Sequence, residues 1–187
     1  GILTGADYLR CWIASLFQFP LQPLPYLFLY GPQNSGKTVL HESISLLFTK
    51  GYIRADSALI SQSGFNSELE GTVLCAVEEI DLRQNRVAYN RIKDWVTSHD
   101  ILIHAKYGTP YHSPNSTHWI QCANDSKACP IFQGDTRITV CYVPPLEHII
   151  PRYELDMRLR KEAPDFLSSI LSLELPKTND RLNIPVL

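Results

Sequence analysis

Residues Tyr30 to Thr38 read YGPQNSGKT, and this stretch limits what the chain can fold into more than any other. Gly31 is followed by four residues and then by Gly36, Lys37 and Thr38, directly after the apolar run PYLFLY. Glycines let backbone N–H groups turn inward around an anion without Cβ clashes. A lysine at this spacing reaches the β- and γ-phosphates of a nucleotide, and the hydroxyl ligates Mg²⁺. The segment KTVLHESISLLFTK that follows has the makings of a helix whose positive N-terminal end faces the same phosphates. The reading is therefore strand, phosphate loop, helix. Gly31, Pro32, Gln33, Asn34, Ser35, Gly36, Lys37 and Thr38 are the candidate nucleotide-binding residues, with ATP and Mg²⁺ as the implied cofactors.

The rest of the chain is read as an α/β protein. Apolar runs at YLFLY, TVLCAVEEI (Thr72 to Ile80), THWIQCAN and TRITVCYV are expected strands. GADYLRCWIASLFQF has helical spacing, with Leu9, Trp12, Ile13 and Leu16 on one face, and PLQPLP ends it. RVAYNRIKDWVTSH is a further helix. RYELDMRLRKEAPDFLSSILSL is read as helices interrupted at Pro164. ILIHA is strand-like and leads into the turn-rich KYGTPYHSPNS, whereas ADSALISQSGFNSELEG carries no clear pattern. Strands alternating with helices imply a mostly parallel sheet flanked by helices.

Composition excludes several classes. With 187 residues and 44% hydrophobic content the chain can bury a core of its own. The formal net charge of -2 provides no global field for nucleic acid, so any DNA contact needs a local patch. No apolar run is long enough to span a bilayer, so no membrane partner is expected. Five cysteines without a C-x-x-C pair read as buried thiols in a reducing, cytoplasmic setting. The opening Gly1 and the ending RLNIPVL suggest a piece of a larger protein.

Two acids end the second core strand. Five apolar residues, Val73 to Val77, deliver Glu78 and Glu79 to a strand's C-terminal end, where open α/β sheets bind ligands. A phosphate-loop hydrolase needs one carboxylate on Mg²⁺ and another to orient or deprotonate the attacking water. We assign Glu79 as catalytic base and Glu78, with Thr38, to the metal, although sequence alone leaves the two acids interchangeable. Asp81 lies past the apolar run. Asn124 ends the next core strand, where an amide can hold the attacking water without adding charge. Arg137 begins the last strand and is a candidate for stabilising charge on the γ-phosphoryl group.

Taken in order, these segments resemble superfamily 3 helicases of the AAA+ class, especially the primase-helicases of poxviruses, phages and related mobile elements. YLFLYGPQNSGKT stands as motif A, LCAVEEI as motif B and HWIQCAND as motif C, with GDTRITV similar to the arginine-finger strand. The resemblance covers roughly Tyr8 to Val186. Thr136 stands where the family often has a second arginine, and Glu78 where Asp is common.

The resemblance implies a single ATPase domain. Residues 1–24 would form an N-terminal helical segment, 25–143 the ATPase core with a β-hairpin insertion, and 144–187 a C-terminal helical segment. It also implies a ring, commonly a hexamer, with ATP between subunits and Arg137 supplied by the neighbour. Hairpins would grip single-stranded DNA in a central channel, with Lys106 the carried-over lysine and Tyr111 and His112 further contacts. The implied activity is ATP-dependent DNA unwinding or translocation in replication, inside a bacterial or virus-infected cell, with a primase or polymerase domain possible in the full-length chain. The rival readings are an ATP-dependent loader or scaffold that does not unwind, and a small phosphate-loop kinase.

Overall fold

The computed structural model describes residues 2, 4–78, 80–177 and 182. The elements that position the site are α1 (Gly5–Gln18), β1 (Tyr26–Tyr30), α2 (Lys37–Ser45), β2 (Tyr52–Arg54), α3 (Asp56–Ile60), β3 (Leu74–Val77) and α4 (Arg86–Trp95). They are followed by β4 (Asp100–Ile103), β5 (Tyr111–Pro114), β6 (His118–Ala123), β7 (Ile138–Tyr142) and α5 (Arg152–Leu171).

A five-stranded sheet runs in the order β2-β3-β6-β1-β7, and every neighbouring pair is parallel. This is the α/β architecture expected from the alternation of strands and helices. Side chains on the inner strands alternate between two buried faces, as the two-residue period of a strand requires. Tyr26, Phe28, Cys75, Val77 and Trp119 join the core packed on α3, α4 and the β4–β5 pair. Leu27, Leu29, Leu74, Ala76, Ile120 and Cys122 join the core built with α1 and α2 and the end of α5.

Thr4 starts α1 through a reciprocal capping box. Its hydroxyl accepts from the Asp7 amide at 3.1 Å, and Asp7 Oδ2 accepts from the Thr4 amide at 3.0 Å. The expected apolar face is the buried one: Trp12, Ile13 and Leu16 are enclosed, and Leu9 packs against them. Tyr8 and Cys11 widen that face.

Two readings change. The last helix is not interrupted at Pro164; α5 runs through it. A proline removes one helical donor and crowds the carbonyl four residues earlier. Pro164 is exposed, so the carbonyl of Arg160 that loses its partner lies on the side water can reach, and α5 carries on to bury Ile170. The segment without a clear pattern contains α3 and a short 3₁₀ turn at Ser67–Leu69. The expected hairpin is present: β5 forms within the turn-rich stretch and pairs antiparallel with β4.

Candidate functional site

Three adjacent strands deliver the parts of one cleft. β1 leads into the glycine loop, β3 into Glu78 and β6 into Asn124. Because β6 lies between β1 and β3, Asn124 emerges between the loop and the acid. All three reach the C-terminal edge of the sheet and line a cleft of about 980 Å³. Of the residues expected there, Gln33 to Thr38, Glu78 and Asn124 are brought together.

The loop's sequence is explained by its backbone. Asn34 and Gly36 take positive φ angles of 62° and 84°, the left-handed region that Gly adopts freely and Asn tolerates. These turns end at Gly36, and α2 begins at Lys37 with its unpaired amides facing the cleft end of the sheet. Gly31 is required for another reason, the close approach of β7's exit at Val143.

Lys37 folds into the loop. Its Nζ donates to the carbonyls of Gly31 at 2.9 Å and Pro32 at 2.7 Å, and to Ser35 Oγ at 3.2 Å. Burial holds the ammonium below the usual lysine range. It is a cation fixed at the mouth of a helix N-terminus, which together suit a phosphate group.

Glu78 sits in a polar knot that the sequence reading did not foresee. Its Oε1 lies 2.8 Å from His41 Nε2, and its Oε2 pairs with Arg54. The Glu78 amide donates to Asp56 Oδ1 at 3.1 Å. Burial pushes the carboxyl upward, but hydrogen bonds from His41 and Thr38 and the charge of Arg54 outweigh it and keep Glu78 below the usual glutamate range. The carboxylate is thus held ionised beside the Thr38 hydroxyl. His41 gave a sequence signal, since it stands four residues after Lys37 and so on the same helix face.

The donor set fits a particular kind of cation. Among the described residues, no group of three or more His, Cys, Asp or Glu side chains could hold a metal ion. Thr38 and Glu78 offer hard oxygens at one edge of the glycine loop. That partial set suits Mg²⁺, which takes its remaining ligands from phosphate and water.

The opposite wall of the cleft is a strap between β7 and α5. Leu146, His148, Ile149 and Ile150 line it, and Arg152 continues the wall at the start of α5. Proline-flanked LEHIIP carried this signal in the sequence, as apolar residues outside any periodic element. Cys122 also lines the cleft, and burial pushes its thiol up to about 12, so it stays neutral.

Other expected residues lie elsewhere. Glu79 is outside the described residues. Asp81 does not line the cleft and is held by Arg83, whose Nη2 donates to Asp81 Oδ2 at 2.7 Å. Arg137 precedes β7, at the end of the sheet opposite the glycine loop. Its Nε and Nη2 donate to the Asp135 carboxylate at 2.8 and 2.7 Å.

Lys106, Tyr111 and His112 lie on the β4–β5 hairpin, which feeds the N-terminal end of β6 across the sheet from Asn124. Tyr111 donates its hydroxyl to Glu70 Oε2 at 2.7 Å. The most exposed aromatic there is Tyr107, 94% exposed at the tip, with Lys106 Nζ 5.0 Å from its ring centre. The sequence reading passed over Tyr107.

Fold and cleft together define a parallel α/β protein whose glycine loop and acidic strand end face one another. The chain belongs to a family described only as Family of unknown function (DUF5906), whose family model matches residues 29–137, more than half of the sequence. No curated protein matches it. Among solved structures it is similar to the apo structure of the NrS-1 C terminal region (305-718), with a TM-score of 0.77 and 21% identity. That match covers 90% of this chain and 42% of the other. The A form of the NrS-1 C terminal region gives a TM-score of 0.78 at 20% identity, covering 93% of this chain and 43% of that one. The chain therefore spans well under half the length of these structures, and the likeness is one of fold.

Proposed function

We propose that this chain is the ATP-hydrolysing motor of a DNA helicase or translocase, part of a replication protein of the kind that phages, viruses and mobile elements encode. The observation that carries the reading is the meeting of Lys37, Thr38, Glu78 and Asn124 at one cleft, from three adjacent parallel strands. The motif order that resembles superfamily 3 helicases of the AAA+ class supports the choice of motor over other phosphate-loop enzymes.

In this reading the loop amides and Lys37 bind the β- and γ-phosphates of ATP. Thr38 and Glu78 would hold Mg²⁺, which when bound would supply neutralisation of charge on the transferred phosphoryl group. Asn124 orients the attacking water and Glu79 accepts its proton. Arg137 cannot serve the cleft of its own chain from the far end of the sheet. It completes the cleft of an adjacent copy in a ring, which we take to be a hexamer. Hairpins bearing Lys106, Tyr111 and His112 then face single-stranded DNA. No helix among the described residues is long and apolar enough to cross a membrane.

The test is strand displacement from a forked DNA duplex with ATP and Mg²⁺. Wild-type protein should separate the strands. Lys37→Ala should lose nucleotide affinity, and Glu79→Gln should bind ATP without turning it over. ATP-dependent DNA binding without displacement would replace the helicase reading with a loader or scaffold. Phosphoryl transfer to a small acceptor would replace it with a kinase.

A further inference from the structure

His41 is 1% exposed, yet both of its ring nitrogens are engaged. Nε2 lies 2.8 Å from Glu78 Oε1, and Nδ1 lies 3.0 Å from the Tyr52 hydroxyl. The ring also stacks on Tyr52, with centroids 6.0 Å apart and planes at 21°. An ionised carboxylate only accepts hydrogen bonds. Nε2–H therefore donates to Glu78, and Nδ1 meets the Tyr52 hydroxyl. Burial, and then the charge of Glu78, push the Tyr52 phenol up to about 12, so it remains a donor. The two contacts together hold one orientation of the His41 ring.

Glu78 is consequently held from several directions. Its amide is fixed on Asp56, one carboxylate oxygen on His41 and the other on Arg54. The two side-chain partners differ in kind. The Arg54 side chain is 56% exposed at the sheet edge, where water and salt weaken its hold. His41 is enclosed and belongs to the same helix as Lys37 and Thr38, so it moves with the phosphate loop.

We infer that His41, backed by Tyr52, is a positioning residue that aims the Glu78 carboxylate at Thr38, so that the two side chains present oxygens to a divalent cation. The inference rests on the nucleotide reading above. His41 does not touch nucleotide or cation; it acts through Glu78. Such partners of metal-binding carboxylates typically alter metal affinity by roughly 10–100-fold when removed.

The test measures Mn²⁺ affinity by electron paramagnetic resonance, with a non-hydrolysable ATP analogue bound. Thermal melting and analogue affinity without metal are followed alongside. His41→Leu keeps the apolar volume and removes the hydrogen bonds; it should weaken Mn²⁺ binding roughly 10–100-fold while metal-free analogue affinity holds. His41→Gln keeps an N–H donor for Glu78 and should recover most of that loss. Tyr52→Phe keeps the ring and removes only the hydroxyl, so it should fall between. It also decides the matter if His41→Leu fails to fold. Unchanged Mn²⁺ affinity in His41→Leu, or in Tyr52→Phe when His41→Leu does not fold, overturns the inference. So does a His41→Gln protein that binds the analogue normally but Mn²⁺ no better than His41→Leu. Wild-type protein that binds no nucleotide overturns the underlying reading instead, a result distinct from each of these.

Discussion

A Cβ placed on Gly31 would stand 2.1 Å from the carbonyl oxygen of Val143. The neighbouring carbonyl leaves no room there for a side chain. Val143 donates its amide to the Tyr30 carbonyl at 2.8 Å, and the Gly31 amide donates to the Ala123 carbonyl at 3.3 Å. Gly31 is wedged where the ends of β7, β1 and β6 meet. Gly31→Ala must push β7's exit outward or displace the loop. It should destabilise the fold by about 1–3 kcal/mol and weaken nucleotide binding as well. Gly5→Ala is the control, since nothing lies within 4 Å of its added methyl. Urea titrations of the two variants give the comparison.

His118 makes stability depend on pH. It is 2% exposed on β6, with Nε2 3.1 Å from the Pro20 carbonyl and Nδ1 without a partner. Burial lowers its pKa to about 4, against only partial opposition from the Pro20 carbonyl. The folded chain therefore keeps His118 neutral through a range where the unfolded chain protonates it. Its contribution is fully present above the unfolded value near 6.5 and is lost progressively as pH falls toward 4. The loss amounts to about 3 kcal/mol as an upper figure. His118→Gln should lack this component. Stability of both proteins measured from pH 7.5 to pH 4 should show their difference changing across that window and nowhere above it.

Lys106 and Tyr107 test the hairpin. Lys106→Ala should weaken single-stranded DNA binding and reduce its logarithmic salt slope by roughly one, leaving basal ATP hydrolysis intact. Tyr107→Ala should cost about 1–3 kcal/mol of affinity if a base stacks on its ring. Tyr111→Phe, which loses only the hydrogen bond to Glu70, should have the smaller effect. Fluorescence anisotropy with a labelled oligonucleotide at several salt concentrations measures all three. Unchanged affinity at low salt would make the hairpin an ordinary surface loop.

Arg137 tests the ring. Arg137→Ala should bind ATP yet hydrolyse it roughly 10³–10⁵-fold more slowly, as expected for an arginine supplied in trans. Glu79→Gln should be equally inactive. Mixing the two should restore activity at interfaces that pair an intact Glu79 with an intact neighbouring Arg137. A labelled pull-down first establishes mixed assembly. Mixed assemblies of independently acting sites that remain inactive would return Arg137 to a structural role beside Asp135.

The glycine loop, the apolar runs of the buried strands and the apolar face of α1 were legible because each depends on short-range sequence. Backbone geometry and strand period act over a few residues, so Gly31, Gly36, Lys37 and Trp12 reveal their surroundings locally. The knot around Glu78 was not legible. His41, Tyr52 and Arg54 come from α2 and β2, and only the parallel pairing of β2 with β3 brings them to one carboxylate. Pro164 failed as a stop signal because solvent exposure, a tertiary property, decided whether the helix could continue past it. The sequence by itself determined a parallel α/β chain with a glycine loop between its first core strand and the helix that follows. Tertiary structure decided which side chains meet that loop: strand order put Asn124 between Lys37 and Glu78, and strand direction put Arg137 at the opposite end of the sheet.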